Sequence, residues 1–212
     1  TVKQNWQKVS NLRRFHSLDT ASVLLACDRI GDGIMAEPEE IVSHVQSLLI
    51  TGGKRDFSGK KVLISAGGTR EYLDPVRFIG NPATGKMGLA LASAALHRGA
   101  DVTLVRGAAR WDISLGVQGI TVDTASELRS KMLECLRTAD LIIMSAAVAD
   151  VKPREYSREK LPKKSLPEAL PLENVEDIIA ELASYKRDNQ KLIGFAAQNG
   201  DIVTPAREKL QR

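Results

Sequence analysis

The chain has 212 residues, of which 43% are hydrophobic and 26% charged, as expected for one large domain or a domain with an appendage. No apolar run reaches the roughly 18 residues of a membrane-spanning helix and no signal-peptide pattern opens the chain, so we expect a cytoplasmic protein without a membrane partner. A net charge of +4 suits a small anionic ligand, whereas so weak a charge and only 4% aromatic residues disfavour nucleic acid.

The first residues of the chain carry fewer regular patterns than the rest. Residues 22–27 (SVLLAC) predict a strand, and residues 36–50 predict a helix with acidic residues in its first turn. Residues 51–59 (TGGKRDFSG) are polar and contain several glycines, which is typical of a linker. We therefore divide the chain into a fragment at 1–50, this linker, and a main domain at 60–212.

In the main domain, apolar runs alternate with helical patterns. The predicted strands lie at 61–65, 101–105, 119–123, 140–147 and 191–197. The predicted helices lie at 86–100, 125–137, 175–186 and 204–212. This alternation predicts an α/β fold, with a Rossmann-like, doubly wound and mostly parallel sheet covered by helices on both faces. Ligands of such sheets bind beyond the carboxyl ends of the strands, so the segments after the first, fourth and fifth strands should line one cleft.

Two turns that contain glycine are candidate anion sites. The stretch GNPATGKMG at 80–88 resembles the phosphate-binding pattern G-x-x-x-x-G-K, but lacks the following Ser or Thr that binds Mg²⁺. It opens a helix at Gly85 and Lys86, so helix amides and an ammonium group would face an anion, although a plain turn with a solvated lysine fits equally well. Gly67 and Gly68 allow close approach of a ligand or simply form a tight turn, and the dinucleotide pattern G-x-G-x-x-G is absent.

The segments after the fourth strand hold further candidates. Tyr156 and Lys160 match the Y-x-x-x-K pair of short-chain dehydrogenases, but Pro153 and Pro162 leave little room for the helix that this pair requires. The run KLPKK is either a solvated charge cluster or a flap whose lysines neutralise a polyphosphate. Asp150 could accept a hydrogen bond from a ligand or hold a metal, and we assign no metal site.

Together, the segments SAGGTREYLDPVRFIGNPATGKMG, SAAVAD, EKLPKK and GFAAQ of residues 60–212 resemble the CTP-dependent phosphopantothenate–cysteine ligase of coenzyme A biosynthesis. Residues 1–50, with LLACDRIGDGIMAEPEEIV, are similar to the end of the flavin-dependent phosphopantothenoylcysteine decarboxylase, which bacteria commonly fuse ahead of the ligase. The chain thus looks like part of a bifunctional protein. Because its last predicted helix has no ending signal, we expect the ligase domain to be incomplete at Arg212.

The resemblance implies a reaction in two steps. The carboxylate of 4′-phosphopantothenate attacks the α-phosphate of CTP, which releases pyrophosphate and leaves an acyl-cytidylate. The amine of cysteine then attacks this anhydride and expels CMP. The resemblance also implies Mg²⁺ as a cofactor and a homodimer that forms through an arm at residues 70–84. Cys27 matches the catalytic cysteine of the decarboxylase, but the part that binds FMN is missing here, so this chain alone should not decarboxylate.

Roles for individual residues follow from the same resemblance. Asn81 would handle the acyl-cytidylate and Lys160 would form it. Positions that match contacts to CTP are Met144, Ser145, Ala146, Asp150, Lys160, Glu176, Asp177, Ile178, Ile179, Phe195 and Lys209. Positions that match the phosphopantothenate site are Gly67, Gly68, Asn81, Gly85 and Lys86. The chain departs from the family at Ala83 and Thr84, where the family usually has Ser-Ser, and Pro82 before them removes a backbone N–H. It also departs at Glu176, where the family has Pro.

Two other functions stay open at this stage. A nicotinamide-dependent reductase on a Rossmann-type fold would need the dinucleotide pattern and a helical Tyr–Lys pair. A fragment that binds nucleotide and dimerises without catalysis would need neither. No motif reads cytosine by itself, so CTP as the nucleotide comes from the resemblance alone.

Overall fold

The computed structural model describes residues 2–10, 12, 15, 21–24, 30–35, 37–108, 113, 116–197, 200, 203–204 and 207. The chain forms two compact units, Thr1–Lys54 and Arg55–Arg212. Within the described ranges, no helix is both long enough and apolar enough to cross a bilayer.

The first unit contains helix α1 (Val2–Ser10), strands β1 (Ala21–Leu24) and β2 (Ile30–Ile34), and helix α2 (Pro38–Thr51). The two strands pair in antiparallel fashion. Helix α2 confirms the prediction for residues 36–50. It begins with a proline, whose missing N–H costs nothing in a first turn, and Gly52, where φ is +60°, caps its carboxyl end. Strand β1 confirms the predicted strand for residues 22–24, whereas α1 and β2 were not predicted.

The second unit carries the remaining elements. In chain order these are β3 (Lys61–Ala66), β4 (Glu71–Tyr72), β5 (Phe78–Ile79), α3 (Lys86–His97), β6 (Asp101–Arg106), β7 (Gln118–Thr121), α4 (Ala125–Leu136), β8 (Leu141–Met144), β9 (Val151–Pro153), a 3₁₀ turn (Lys163–Ser165), β10 (Leu172–Asn174), α5 (Ile178–Tyr185) and β11 (Lys191–Gly194).

The described part of this unit is built on a five-stranded sheet in the order β7-β6-β3-β8-β11, with every pair of neighbours parallel. The direction of winding reverses between β3 and β8, and this arrangement confirms the predicted Rossmann-like α/β fold. In such sheets a crevice opens at the carboxyl ends of the strands on either side of the reversal.

Both faces of the sheet are covered, because the side chains of β3 alternate between two cores. Val62, Ile64 and Ala66 pack on the face covered by α3, in one cluster with Ala92 and Ala95. Leu63 points to the other face, where its cluster contains buried residues of α4 and α5. The buried side chains explain why the strand reads as an unbroken apolar run.

Several predicted boundaries differ from the structure. Strand β8 is shorter than the predicted 140–147, because the chain after Met144 turns across the end of β3. Strand β11 ends at Gly194 rather than at residue 197. The hairpins β4–β5 and β9–β10 were not predicted, since strands of two or three residues show no period in sequence. The predicted helix at 204–212 falls almost entirely outside the described residues.

Part of the segment predicted as a linker packs against the end of α3. The guanidinium group of Arg98 pairs with Asp56 and lies 3.8 Å from the centroid of the Phe57 ring. The amide of Phe57 also donates to the carbonyl of Arg98 at 3.0 Å. Residues 55–59 therefore belong structurally to the second unit.

Gln190 joins the end of α4 to the start of β11. Its side chain is 2% exposed, and its Nε2 donates to the carbonyl oxygens of Leu136 and Ala139, each at 2.6 Å. Its Oε1 accepts from the amide of Arg187 at 2.7 Å. One buried side chain thus satisfies three backbone groups.

We predict that Gln190→Ala lowers the free energy of unfolding by about 2–4 kcal/mol, because these buried groups lose their partners. Urea denaturation monitored by circular dichroism measures the change. Asn189→Ala, at the exposed neighbouring position, serves as the control and should have little effect. Equal stability of the two variants would contradict the assigned role of Gln190.

Candidate functional site

Three loops meet at the carboxyl ends of β3 and β8. The turn after β3 accepts a hydrogen bond from each neighbouring loop. The amide of Ala147 donates to the carbonyl of Gly67 at 2.8 Å, and the amide of Ala108 donates to the carbonyl of Gly68 at 3.0 Å. The predicted turn at Gly67 and Gly68 thus lies at the centre of this edge of the sheet.

Ser65 fixes the loop that follows β8. Its buried hydroxyl accepts hydrogen bonds from the amides of Ser145 and Ala146, both at 3.1 Å. In return, the Ser145 hydroxyl donates to the carbonyl of Ser65 at 2.5 Å. The turn at Met144, Ser145 and Ala146 is therefore held in one conformation by the central strand. Ser65 is not among the predicted site residues, although a serine inside an apolar strand is a usable signal.

The glycines of this region are needed because backbone segments cross at close range. A side chain at Gly68 would place its Cβ 2.7 Å from the carbonyl oxygen of Asn81. A side chain at Gly80 would overlap the carbonyl oxygen of Thr69. The loop that carries Asn81 therefore lies directly on the turn after β3.

Asn81 is also tied to the loop after β8. Its side-chain Nδ2 donates to the carbonyl of Val148 at 3.0 Å, while the next amide along, that of Ala149, donates to Thr69 Oγ1 at 3.0 Å. The side chain is exposed, and the second N–H of its amide group provides a donor for a ligand at this edge. Asn81 is thus oriented by the same crossing that holds the glycine turn.

The residues that depart from the usual family pattern lie between Asn81 and α3. Pro82 has no amide N–H, and the amide of Ala83 donates back to the carbonyl of Asn81 at 2.8 Å. The hydroxyl of Thr84 accepts from the amide of Lys86 at 3.4 Å. The amides of Ala83 and Lys86 are therefore engaged locally, and Pro82 offers none.

Helix α3 begins at the same edge. Gly85 precedes its first residue with φ at +79°, a value that favours glycine, and Lys86 is exposed. Gly88, in the first turn, packs so closely that a Cβ there would overlap Ala66 and would lie 2.8 Å from Ser145 Oγ. The amides of the first turn have no acceptor within the helix, and they concentrate positive potential beside the turn after β8.

A second group of predicted residues lines the neighbouring edge between β8 and β11. The carbonyl of Asp150 accepts from the amide of Val175 at 3.0 Å, and Asp177 caps α5 by accepting from the amide of Ala180. The register pairs Gly194 with Met144, so Phe195, which is 52% exposed, follows β11 level with the turn after β8. Phe195 therefore lies at the carboxyl edge of the sheet, beside the turn after β8.

The start of α5 contains both exposed and buried members of the predicted set. Glu176 is exposed and lies 3.9 Å from Lys152. Ile178 is 3% exposed and belongs to the core, and Ile179 lies against Gly194. A ligand at this helix would therefore meet backbone groups and Glu176 rather than the side chain of Ile178.

Lys160 lies in the loop between β9 and β10, and its side chain is exposed. The stretch from Tyr156 to Lys160 is not helical, so the Tyr–Lys geometry of a short-chain dehydrogenase is not formed. Lys163 opens the 3₁₀ turn that follows. Cys27 and Lys209, the other predicted site residues, lie outside the described residues.

In the described part of the chain, no group of three or more His, Cys, Asp and Glu side chains is placed to hold a metal ion. A half-open cavity of about 460 Å³ lies between α4 and α5, lined by residues that include Arg129, Leu133 and Tyr185. Because Gln190 and the end of α4 border it, this cavity lies toward the amino ends of β8 and β11. The predicted residues of the turns after β3 and β8 and of the start of α3 lie at the opposite edge, where a parallel sheet binds its ligands.

The chain is similar to several known proteins. Residues 57–212 match the family described as DNA/pantothenate metabolism flavoprotein C-terminal domain. The chain is 41% identical over 189 residues to the coenzyme A biosynthesis bifunctional protein CoaBC of Vibrio cholerae. The aligned region covers 88% of this chain and 47% of that protein. It is 42% identical over 202 residues to a protein of an unknown prokaryotic organism named cysteine/cysteine sulfinic acid decarboxylase, with coverages of 93% and 56%. The chain thus spans about half the length of these relatives.

A solved structure shows the same fold. The crystal structure of the C-terminal domain of a coenzyme A biosynthesis bifunctional protein CoaBC superimposes with a TM-score of 0.66 at 36% sequence identity, covering 74% of each chain.

The close packing of Gly88 predicts whether replacing it by alanine raises or lowers the stability of the protein. Helix propensity alone would make Gly88→Ala stabilising by about 0.5–1 kcal/mol. We expect it instead to destabilise the protein by about 1–3 kcal/mol, because the new methyl group overlaps Ala66. Chemical denaturation measures the change, and Ala90→Gly, at an exposed position of the same helix, reports propensity alone. A more stable Gly88→Ala variant would show that α3 does not approach β3 so closely.

Proposed function

The chain belongs to the DNA/pantothenate metabolism flavoprotein family through its C-terminal domain, and on that premise we propose that it ligates 4′-phosphopantothenate to cysteine at the expense of CTP. The name of the Vibrio cholerae relative places that protein in coenzyme A biosynthesis. The observation that carries the proposal is the convergence of Asn81, the first turn of α3 and the turn at Ser145 on one edge of the sheet.

In the first step, one carboxylate oxygen of 4′-phosphopantothenate bonds to the α-phosphorus of CTP, and the bond to the bridging oxygen of pyrophosphate breaks. Two anions must approach each other, so the site has to supply positive charge. The first turn of α3 and Lys86 suit the phosphate of 4′-phosphopantothenate. Lys160 suits the charge that develops on the phosphates of CTP.

In the second step, the amine of cysteine attacks the acyl carbon of the acyl-cytidylate, the bond to CMP breaks, and the amine loses a proton. Negative charge passes through the acyl oxygen during this attack. The free N–H of the Asn81 side chain is oriented by its bond to Val148 and supports donation to this oxygen. The turn at Ser145 and the exposed Phe195 suit the nucleoside.

Three further features belong to the proposal. Mg²⁺ would enter with the phosphates of CTP, as it usually does in nucleotide sites, and Asp150 is the carboxylate that we propose as its ligand. Val76 and Phe78, which are 57% and 48% exposed, give the arm at 70–84 an apolar surface that supports a homodimer. The reaction would take place in the cytoplasm.

The experiment that tests this function is pyrophosphate release from CTP. The chain should release pyrophosphate when CTP and 4′-phosphopantothenate are both present, and CMP when cysteine is added. Thermal-shift titrations with CTP and NADPH separate the ligase from a reductase. Release of CO₂ without CTP would instead favour the activity in the name of the other relative, and nucleotide binding without pyrophosphate release would favour a non-catalytic fragment.

We predict that Lys160→Ala slows pyrophosphate release by about 100-fold or more, because a positioned charge on the transferring phosphate is lost. Its thermal stability should stay close to that of the unaltered chain, since an exposed loop lysine contributes little to folding. Lys60→Ala, at an exposed position before β3, is the matched control. A normal rate in Lys160→Ala would remove this lysine from the first step.

We predict that Asn81→Asp folds but turns over about 100-fold or more slowly, because a carboxylate replaces the donor that would face the acyl oxygen. Asn189→Asp adds the same charge at an exposed position near the amino end of β11. Steady-state formation of CMP measures both variants. Near-normal turnover of Asn81→Asp would contradict the placement of Asn81 at the reacting atoms.

A further inference from the structure

Asp74 is a buried acid in the short turn between β4 and β5. Its side chain is 0% exposed, and a carboxylate withdrawn from water is costly unless each oxygen is bonded. Its Oδ1 accepts from the amides of Val76 and Arg77 at 2.9 and 2.8 Å. Its Oδ2 accepts from Arg77 Nη1 at 2.5 Å and from the amide of Leu161 at 3.2 Å.

The bonds to Oδ1 only shape the turn, but the bond from Leu161 joins residues 87 positions apart in the chain. Arg77 completes this contact, because its Nη1 also donates to the carbonyl of Leu161 at 3.1 Å. Both backbone polar groups of Leu161 are therefore held by the arm. We name Asp74, Arg77 and Leu161 the arm clamp.

The arm clamp holds the residue directly after Lys160, and a second contact holds the loop just before it. The amide of Ser157 donates to the carbonyl of Leu73 at 2.9 Å, and the Ser157 hydroxyl donates to the carbonyl of Glu159 at 2.7 Å. Consecutive Cα atoms lie about 3.8 Å apart, so fixing Leu161 limits where the Lys160 backbone can go. The loop is anchored on both sides of an exposed ammonium group.

We propose that Asp74 and Arg77 are positioning residues for Lys160, setting the point from which its side chain reaches the phosphates of CTP. This inference rests on the ligase function proposed above. Neither residue needs to touch substrate. The role differs from that of a turn-forming acid, because a turn alone would not require either bond to Leu161.

The charge state of the arm clamp suits this role. Burial opposes ionisation of Asp74, but the hydrogen bonds from Val76, Arg77 and Leu161 and the charge of Arg77 outweigh it, so the pKa of this carboxyl lies below its ordinary value. The carboxylate is therefore ionised near neutral pH and can accept all of its hydrogen bonds.

The first test is Asp74→Asn, which keeps the shape of the side chain. With its amide oxygen at the Oδ1 position, the turn bonds survive, but an NH₂ group replaces the oxygen that accepts from Arg77 and Leu161. Asp56→Asn is the matched control, because Asp56 is an aspartate paired with an arginine, Arg98, at an exposed position. Hydrogen exchange at the Leu161 amide, followed by NMR, reports on the arm clamp independently of activity.

We expect Asp74→Asn to speed exchange at Leu161 by about 10-fold or more, as expected when a bond to a charged acceptor is lost. We also expect pyrophosphate release to slow by about 10- to 100-fold, as misplacement of a catalytic group does. The Kd for CTP should rise by a smaller factor than the rate falls, because Lys160 is proposed to act mainly on charge that develops in the reaction step. Asp56→Asn should change none of these quantities.

A second pair of variants covers the case in which Asp74→Asn does not fold. Leu161→Pro removes the donated N–H in a loop, whereas Leu161→Ala shortens the side chain and keeps the N–H. The proline variant should slow pyrophosphate release by about 10- to 100-fold, and the alanine variant should not.

Two results would overturn the inference. One is unchanged exchange at Leu161 in Asp74→Asn, and the other is faster exchange with a normal rate of pyrophosphate release. If the unaltered chain releases no pyrophosphate at all, the proposed function is wrong and the role given to Lys160 falls with it. Exchange at Leu161 then still decides whether the arm clamp holds the loop.

Discussion

The site depends on the hydrogen bonds that join β3 to the loop after β8 at the reversal of strand order. The buried hydroxyl of Ser65 holds the amides of Ser145 and Ala146, and the carbonyl of Gly67 holds the next loop residue, Ala147. Because Gly88 packs against Ala66 and Ser145, the same contacts also fix the start of α3. The helix end proposed for the phosphate and the turn proposed for the nucleoside are therefore held by the same contacts.

The arm is the second organising element, because it contacts the sheet and the Lys160 loop at once. Buried Glu71 accepts from the amide of Ala125 at the start of α4 at 2.9 Å, and the Tyr72 hydroxyl donates to Asp123 at 2.5 Å. The turn between β4 and β5 of the arm contains Asp74 and Arg77, which form the arm clamp with Leu161. If a second copy packs on the apolar surface of the arm, as proposed, dimer formation and the placement of Lys160 are physically linked.

The sequence was sufficient to predict the strands and helices of the main domain, but not the hydrogen bonds that join its loops. Continuous apolar runs and helical spacing are local signals, and they located β3, β6, α3 and α4 within a few residues. The glycine turns were also recognisable, since glycine is required where backbones cross. The bond of Asp74 to Leu161 spans 87 residues and leaves no local pattern, and the two-residue strands of the arm show no period. The roles of Asn81 and Lys160 came from resemblance and remain predictions.

In the proposed reaction, a triphosphate and a phosphorylated acid bind side by side at the carboxyl edge of the sheet. An amide NMR titration with CTP and 4′-phosphopantothenate tests it most directly. The amides of Gly67, Gly68, Gly88 and Ser145 should shift, and each ligand should affect a common set of these amides. Shifts confined to the cavity between α4 and α5, around Arg129 and Tyr185, would contradict the placement of both ligands at this edge.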